Sequence, residues 1–420
     1  MKKIFLITKL KTSNIGNEAL SHEIIRLFHE KLEDCSIHVN GRPFGLDGYL
    51  ASTLVKSDNP LQLFEKWTDD IVNKLRKEND VEFKPNKGKV ILFSDVSEFK
   101  ADKWKAWLRP IKRLYNSMLI YSKSYEERAK VLKASEWIVY SGAGEVNDGN
   151  GSTNINKGNV FLRQLIEIRV AQKLGLKSAA INQSVFLKST LFQSLCAHVY
   201  SKMEKIIIRG KTTRENLINY GVPDSIIEIA PDSAINTTLD ESVKVKKSKN
   251  KVGFNISDRV KISDEEISKI ISHLQSLGKE VVFCTNEPYG DMDIINKFEK
   301  KFNVSNMSGH RNYKEYAAGL AACDFVISAR VHTNMLSLVS HTPIIPIEGN
   351  DFRLAELLEG FKYPIHIVKS REDGWVDQLL QEIDNVVVNK KYDFENYFNS
   401  VFEPCKKLSY RNATWLNEIK

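Results

Sequence analysis

Phe325-Val326-Ile327-Ser328-Ala329-Arg330-Val331-His332-Thr333-Asn334-Met335-Leu336-Ser337-Leu338-Val339-Ser340 is the stretch whose reading decides the fold. It opens as a short apolar run of strand type and closes as a helix with Met335, Leu336, Leu338 and Val339 at its apolar positions. Arg330 and His332 sit in the turn between the two. In open α/β sheets the crevice beyond the carboxyl ends of parallel strands is where ligands bind. A helix that starts there also aims unpaired backbone N–H groups at the ligand. Arginine offers a planar fork for carboxylate or phosphate, and histidine moves a proton near neutral pH. On pattern alone a bland turn carrying two ordinary polar residues is equally consistent, because Arg-x-His is a common triplet.

Outward from that stretch the same strand-turn-helix unit repeats. Before it, strands at 252–256 and 280–285 alternate with helices at 264–277, 291–302 and 313–322. After it come strands at 344–347 and 365–368 and helices at 352–358 and 375–383. The first half reads likewise, with strands at 4–8, 90–93, 137–140, 177–181, 205–209 and 226–229. Several of these end in polar or glycine-bearing turns: Ser13-Asn14-Ile15-Gly16-Asn17-Glu18, Ser141-Gly142-Ala143-Gly144-Glu145, Asn182-Gln183-Ser184, Arg209-Gly210 and Pro231-Asp232. Such alternation implies parallel βα units whose loops line one edge of each sheet. Residues 42–86 show little periodicity and carry no site.

Length and composition set the frame. A chain of 420 residues exceeds one typical core, so two domains are expected. The polar, lysine-rich segment 237–250 is the natural linker, which gives domains 1–238 and 239–390 and an aromatic tail, 391–420, able to pack back on the first domain. A formal charge of +8 favours anionic ligands and is too mild to argue for nucleic acid. Five scattered cysteines without CxxC spacing read as reduced thiols of a cytoplasmic protein, with no disulfide frame and no metal site. The apolar run near the N-terminus is short and lacks a small-residue cleavage site, so it reads as a strand rather than a signal peptide. No apolar segment approaches the roughly 20 residues that span a bilayer. Trp104, Trp107, Leu108, Ile111, Leu114, Tyr115 and Met118 recur at helical spacing among five basic residues. Such a helix either packs on the core, the commoner outcome, or lies on an anionic membrane face.

With those positions in view, the chain resembles the polysaccharide pyruvyl transferase family. The resemblance rests on Gly16-Asn17-Glu18, Gly142-Ala143-Gly144, Gln183-Ser184, Arg209, Pro231-Asp232 and Arg330-Val331-His332, in that order, followed by the strand after Thr342-Pro343. It departs where Glu18 replaces the usual aspartate, where Ala143 interrupts the glycines, and where Arg353 is the nearest match for an expected lysine.

The resemblance implies an α/β fold of two Rossmann-like domains facing across a cleft, similar to the GT-B glycosyltransferases. It implies transfer of the enolpyruvyl unit of phosphoenolpyruvate onto a sugar of a cell-surface polysaccharide or its lipid-linked precursor, as a ketal, with release of phosphate. No cofactor and no metal are implied. His332, Arg330 and Arg209 are then the catalytic candidates. Asn14, Gly16, Asn17, Gly142, Gly144, Glu145, Gln183, Arg214, Asp232 and Arg353 are the substrate-binding ones. The expected location is cytoplasmic, with peripheral contact at the inner face of the membrane. A nucleotide-sugar glycosyltransferase of the same architecture is the alternative. Glu348 and Glu356 show the E-x7-E spacing of some such enzymes, although Glu348 ends a strand, which makes the spacing look accidental.

Overall fold

Parallel strands buried on both faces read as continuous apolar runs, and the sequence supplies them in two sets. The computed structural model describes residues 2–8, 14–32, 34–40, 53–77, 91–92, 131–142, 146–147, 155–239, 248–255, 257, 260, 262–307, 310, 312–349 and 352–419. Its contacts divide into two units. One holds Met1–Lys11, Ile25–Ile229 and Asn412–Lys420; the other holds Thr12–Ile24 and Ala230–Arg411.

The first unit carries strands β1 (Lys2–Ile7), β2 (Cys35–Asn40), β3 (Ile91–Leu92), β4 (Trp137–Ser141), β5 (Val146–Asn147), β6 (Lys177–Gln183), β7 (Val185–Phe186), β8 (Lys205–Ile208) and β9 (Ile227–Ile229). Seven of them form a parallel sheet in the order β3-β2-β1-β4-β6-β8-β9, and β5 pairs with β7. The chain leaves β1 toward β2 on one side and returns to β4 on the other, so the topological switch point lies between β1 and β4. One face of the sheet, with Phe5, Ile7, Ile138, Tyr140, Ile206 and Ile208, packs into a core with Phe161, Leu165 and Ile168 of helix Ile155–Lys173.

The second unit carries β10 (Lys251–Asn255), β11 (Glu280–Phe283), β12 (Ser305–Asn306), β13 (Phe325–Ser328) and β14 (Ile344–Pro346), in the order β12-β11-β10-β13-β14. Its strands are parallel too, and its switch point falls between β10 and β13, where Asn255 is the register partner of Ser328. The opening stretch of the sequence therefore sits at a switch point, its helix running Val331–Val339.

Three expectations need correction. Residues 42–86 contain a long helix, Pro60–Lys77, that buries Phe64, Trp67, Thr68, Ile71, Val72 and Leu75, a stripe of three- and four-residue spacings masked by its charged flanks. Strand β2 was not foreseen either, because Ser36 and His38 break its apolar run although both are buried. Residues 365–368 form no strand of the sheet and contribute one bridge, Ile347 to Val368. The tryptophan-bearing segment 104–118 lies outside the described residues. Among those described, no helix is long and apolar enough to cross a membrane.

Candidate active site

The second unit's switch point is built around a buried polar network. Asn255 Nδ2 donates to the Cys284 carbonyl at 2.9 Å, and Ser328 Oγ donates to Asn255 Oδ1 at 3.0 Å. Ser328 Oγ then accepts from the Arg330 backbone N–H at 3.0 Å, which fixes the entry of the helix Val331–Val339. Asn334 locks the same turn from inside the helix, donating to the carbonyls of Ser328 and Arg330 at 3.0 and 3.1 Å. Each of these groups ends a strand or begins a helix, where backbone groups lack regular partners and side chains must supply them.

Asn286, in the turn after β11, joins this network to the start of helix Ile15–Lys31. Its carbonyl accepts from Ile15 N at 2.9 Å, its Nδ2 donates to Asn14 Oδ1 at 3.1 Å, and its Oδ1 accepts from Thr333 Oγ1 at 3.0 Å. Asn14 caps that helix, its Oδ1 accepting from Gly16 N at 3.0 Å and Asn17 N at 3.3 Å. The consequence is the position of His332. An added Cβ on Gly16 would fall 2.0 Å from His332 Cγ and 2.3 Å from Nδ1. The imidazole thus lies directly on the glycine backbone of the helix start, and His332 is 7% exposed. Gly16 is there because no side chain fits beneath the ring. Glu18, one half-turn further, is half-buried, and burial raises its carboxyl above the ordinary value.

Arg330 does not serve as an open anion fork. Its Nε and Nη2 donate to the two oxygens of Asp291 at 3.2 and 2.5 Å, and Nη1 donates to Glu287 at 2.5 Å. Asp291 is fully buried and also accepts from Thr285 Oγ1 at 2.6 Å. Two carboxylates thus hold the three donating nitrogens of the Arg330 guanidinium in place, a buried ion-pair network at the helix start. Nearby, Tyr316 OH meets Thr333 Oγ1 at 2.9 Å and its ring lies 4.3 Å from that of His310. Burial pushes the His310 imidazole down to about 4, so it is neutral at physiological pH.

The first unit has its own strand-end cluster. Gln183, fully buried at the end of β6, donates from Nε2 to the carbonyls of Tyr140 at 3.2 Å and Ile181 at 3.1 Å. Its Oε1 accepts from no group among the described residues. Arg209, just past β8, donates from Nη2 to the Gly142 carbonyl at 3.4 Å. A Cβ on Gly142 would lie 2.9 Å from Tyr140 OH and 3.0 Å from Gln183 Nε2, so these side-chain ends close tightly on the glycine.

The remaining candidates scatter. Gly144 and Glu145 lie outside the described residues. Arg214, its side chain 44% exposed, is bidentate to Asp224 at 2.7 Å for both bonds. Asp232 is buried and caps the turn Ser233–Asn236 by accepting from Ala234 N at 2.8 Å, and that turn packs on helix Val331–Val339. Arg353 is half-buried and opens helix Arg353–Gly360, which also packs on Val331–Val339. Glu356 of the E-x7-E pair is 2% exposed inside that helix. Sequence reading missed Asn255, Thr285, Asn286, Glu287, Asp291 and Thr333. The signal available was Thr285-Asn286-Glu287-Pro288, a polar strand-end turn with proline at a helix start.

The family model described as polysaccharide pyruvyl transferase matches residues 14–351. No curated protein matches the sequence. Among solved structures, UDP-GlcNAc 2-epimerase from Methanocaldococcus jannaschii superposes with a TM-score of 0.51 at 13% identity, covering 100% of each chain. A UDP-N-acetylglucosamine 2-epimerase described as putative, from Listeria monocytogenes, gives 0.54 at 10% identity over 99% of this chain and 95% of that one. The UDP-GlcNAc 2-epimerase from Neisseria meningitidis bound to UDP-GlcNAc gives 0.53 at 10%, over 100% and 99%. At such identities the likeness is one of fold, and the fold is GT-B-like.

Proposed function

The chain belongs to the polysaccharide pyruvyl transferase family and is a transferase, and from that premise we propose that it moves the enolpyruvyl unit of phosphoenolpyruvate onto a sugar as a ketal. The balance of the reaction defines what the residues must do. The methylene carbon of the donor gains a proton, which leaves an oxocarbenium-like centre at C2. One sugar hydroxyl adds to C2 and loses its proton, the bond from C2 to the phosphate oxygen breaks, and a second hydroxyl adds to C2 and closes the ketal, its proton passing to the departing phosphate. Phosphate leaves with the electron pair of that bond.

His332 carries one of these proton movements, with Nε2 as the atom that holds the proton. The observation behind this reading is the seating of its imidazole on Gly16 at the start of a capped helix. A proton-transfer group must be held in one geometry, and here the backbone of one element fixes a ring carried by another. Arg209 takes the anionic part of the donor, a role its fork suits. Gln183 Oε1, a buried acceptor, takes a hydroxyl of the sugar. The acceptor is a saccharide, in keeping with the family; attachment to a lipid carrier, a cytoplasmic location and transient contact with an anionic membrane through the 104–118 segment are part of the same proposal.

The test is donor consumption. Phosphate release from phosphoenolpyruvate that depends on a saccharide acceptor, and a ketal in the product by mass, are the expected results. Nucleotide release from a nucleotide sugar, with no phosphate from phosphoenolpyruvate, assigns the chain to the glycosyltransferase alternative instead.

A further inference from the structure

At the end of β6 the chain does something costly. Asn182 has φ 56°, in the left-handed region, and is fully buried. A non-glycine residue there is strained, with asparagine among the types that tolerate it. The pairing of β6 with β8 shifts at the same place: Ala180 faces Ile206, and Gln183 faces Ile208. That displaced turn is what swings the Gln183 amide onto the Tyr140 and Ile181 carbonyls, and the Gln183 carbonyl in turn accepts from Arg209 N at 2.9 Å.

Hydrogen bonds from Asn182 hold the turn. Asn182 Nδ2 donates to Ser141 Oγ at 3.1 Å. The Asn182 backbone N–H donates to Asn412 Oδ1 at 3.2 Å, across a sequence separation of 230 residues. Asn412 is fully buried and begins the last segment of the first unit. That segment is anchored independently. Trp415 packs edge-on against Trp137 at 5.3 Å, Lys2 Nζ donates to the carbonyls of Leu416 and Ile419, and Asn417 Nδ2 donates to the Lys31 carbonyl at 3.0 Å. It also lies beyond the residues, 14–351, that the family model matches.

We propose that Asn412 is a positioning residue for the first unit's strand-end cluster: its amide oxygen clamps the left-handed Asn182 and so sets Gln183 and Arg209. A turn held in a disfavoured conformation persists only where its surroundings over-determine it. The anchored tail supplies that constraint from outside the sheet. The kinetic part of this inference rests on the functional reading above, in which Gln183 and Arg209 bind substrate; the structural part does not.

The experiment compares Asn412→Leu, which keeps the bulk and removes the acceptor, with Asn412→Asp, which keeps an oxygen at the same place. Hydrogen exchange over residues 178–186 is read beside exchange over β1 and β4. Asn412→Leu is expected to speed exchange at Asn182 by about tenfold or more, as for loss of one buried hydrogen bond, while β1 and β4 keep their protection. Asn412→Asp retains the protection. In the transferase assay Asn412→Leu raises the saccharide and phosphoenolpyruvate KM values by about tenfold with little change in kcat, and Asn412→Asp recovers them. Equal loss in both variants, spread evenly over the first unit, makes Asn412 an ordinary packing residue and overturns the proposal. If Asn412→Leu yields no folded protein, exchange in the unaltered chain decides: an Asn182 amide exchanging as fast as an open loop overturns the clamp, and one as slow as core β6 amides supports it. A wild-type chain that releases no phosphate from phosphoenolpyruvate defeats the functional reading alone, and the exchange comparison still decides on Asn412.

Discussion

Arg209 and Arg330 occupy the same kind of place in the two units and do different work. Each follows the end of a parallel strand, and each was expected from sequence to grip an anion. Arg209 donates to the neutral carbonyl of Gly142, whereas Arg330 donates from three nitrogens to Asp291 and Glu287. Residue type and strand-end position therefore do not fix what an arginine touches; the groups that the folded chain brings to it do. In the second unit the arginine is tied into the polar network around the turn that carries His332.

The largest effect expected from this contrast is on rate. His332→Ala should lower kcat by about 10²–10⁴ with the substrate KM values little changed. Gly16→Val should approach the same loss in a folded protein, since its side chain displaces the ring it would meet at 2.0 Å. A Gly16→Val enzyme with normal turnover would remove His332 from the chemistry.

Arg330 gives the next largest effect, and on stability. Arg330→Ala leaves Asp291 buried without its counter-ion, a loss of about 3–5 kcal/mol in a denaturant titration. The double variant Arg330→Met/Asp291→Leu should regain much of it. Lowered donor affinity at unchanged stability would return Arg330 to the binding role expected from sequence.

His310 gives a pH effect of smaller size. Its folded value of about 4 lies below the ordinary value of 6.5, so between these the unfolded chain binds the extra proton. Stability should therefore fall as pH drops from about 6.5 to about 4, and His310→Phe should flatten that slope in thermal melts at stepped pH. A variant with the same slope would place the titration elsewhere.

Two substitutions sharpen the contrast at the lower end. Arg209→Lys should raise the phosphoenolpyruvate KM by about tenfold with kcat retained, because a point charge replaces a fork. Arg214→Ala should change neither activity nor melting temperature, as its partner Asp224 is exposed with it at the surface. A loss of substrate binding on Arg214→Ala would instead support the substrate-binding role expected from sequence.

Much of this molecule was legible along the chain. The alternation of apolar runs with helical stripes gave the parallel βα units, and the polar residues ending those runs marked Gly16, Gly142, Gln183, Arg209 and His332. Each signal spans a dozen residues or fewer, which is the reach of a periodicity or a turn motif. Helix Pro60–Lys77 was legible in the same way, through Phe64, Trp67, Ile71 and Leu75, and was missed among charged neighbours. What the tertiary structure alone decided are pairings at long separation. Asp291 lies 39 residues from Arg330 and accepts from its guanidinium; Asn286 lies 272 residues from Asn14 and ties its helix to the turn beside His332. Asn412 lies 230 residues from the strained Asn182 it clamps. Periodicity reports which face of an element is buried, and a buried polar group takes whichever partner the folded chain brings within about 3 Å, a choice no local pattern encodes.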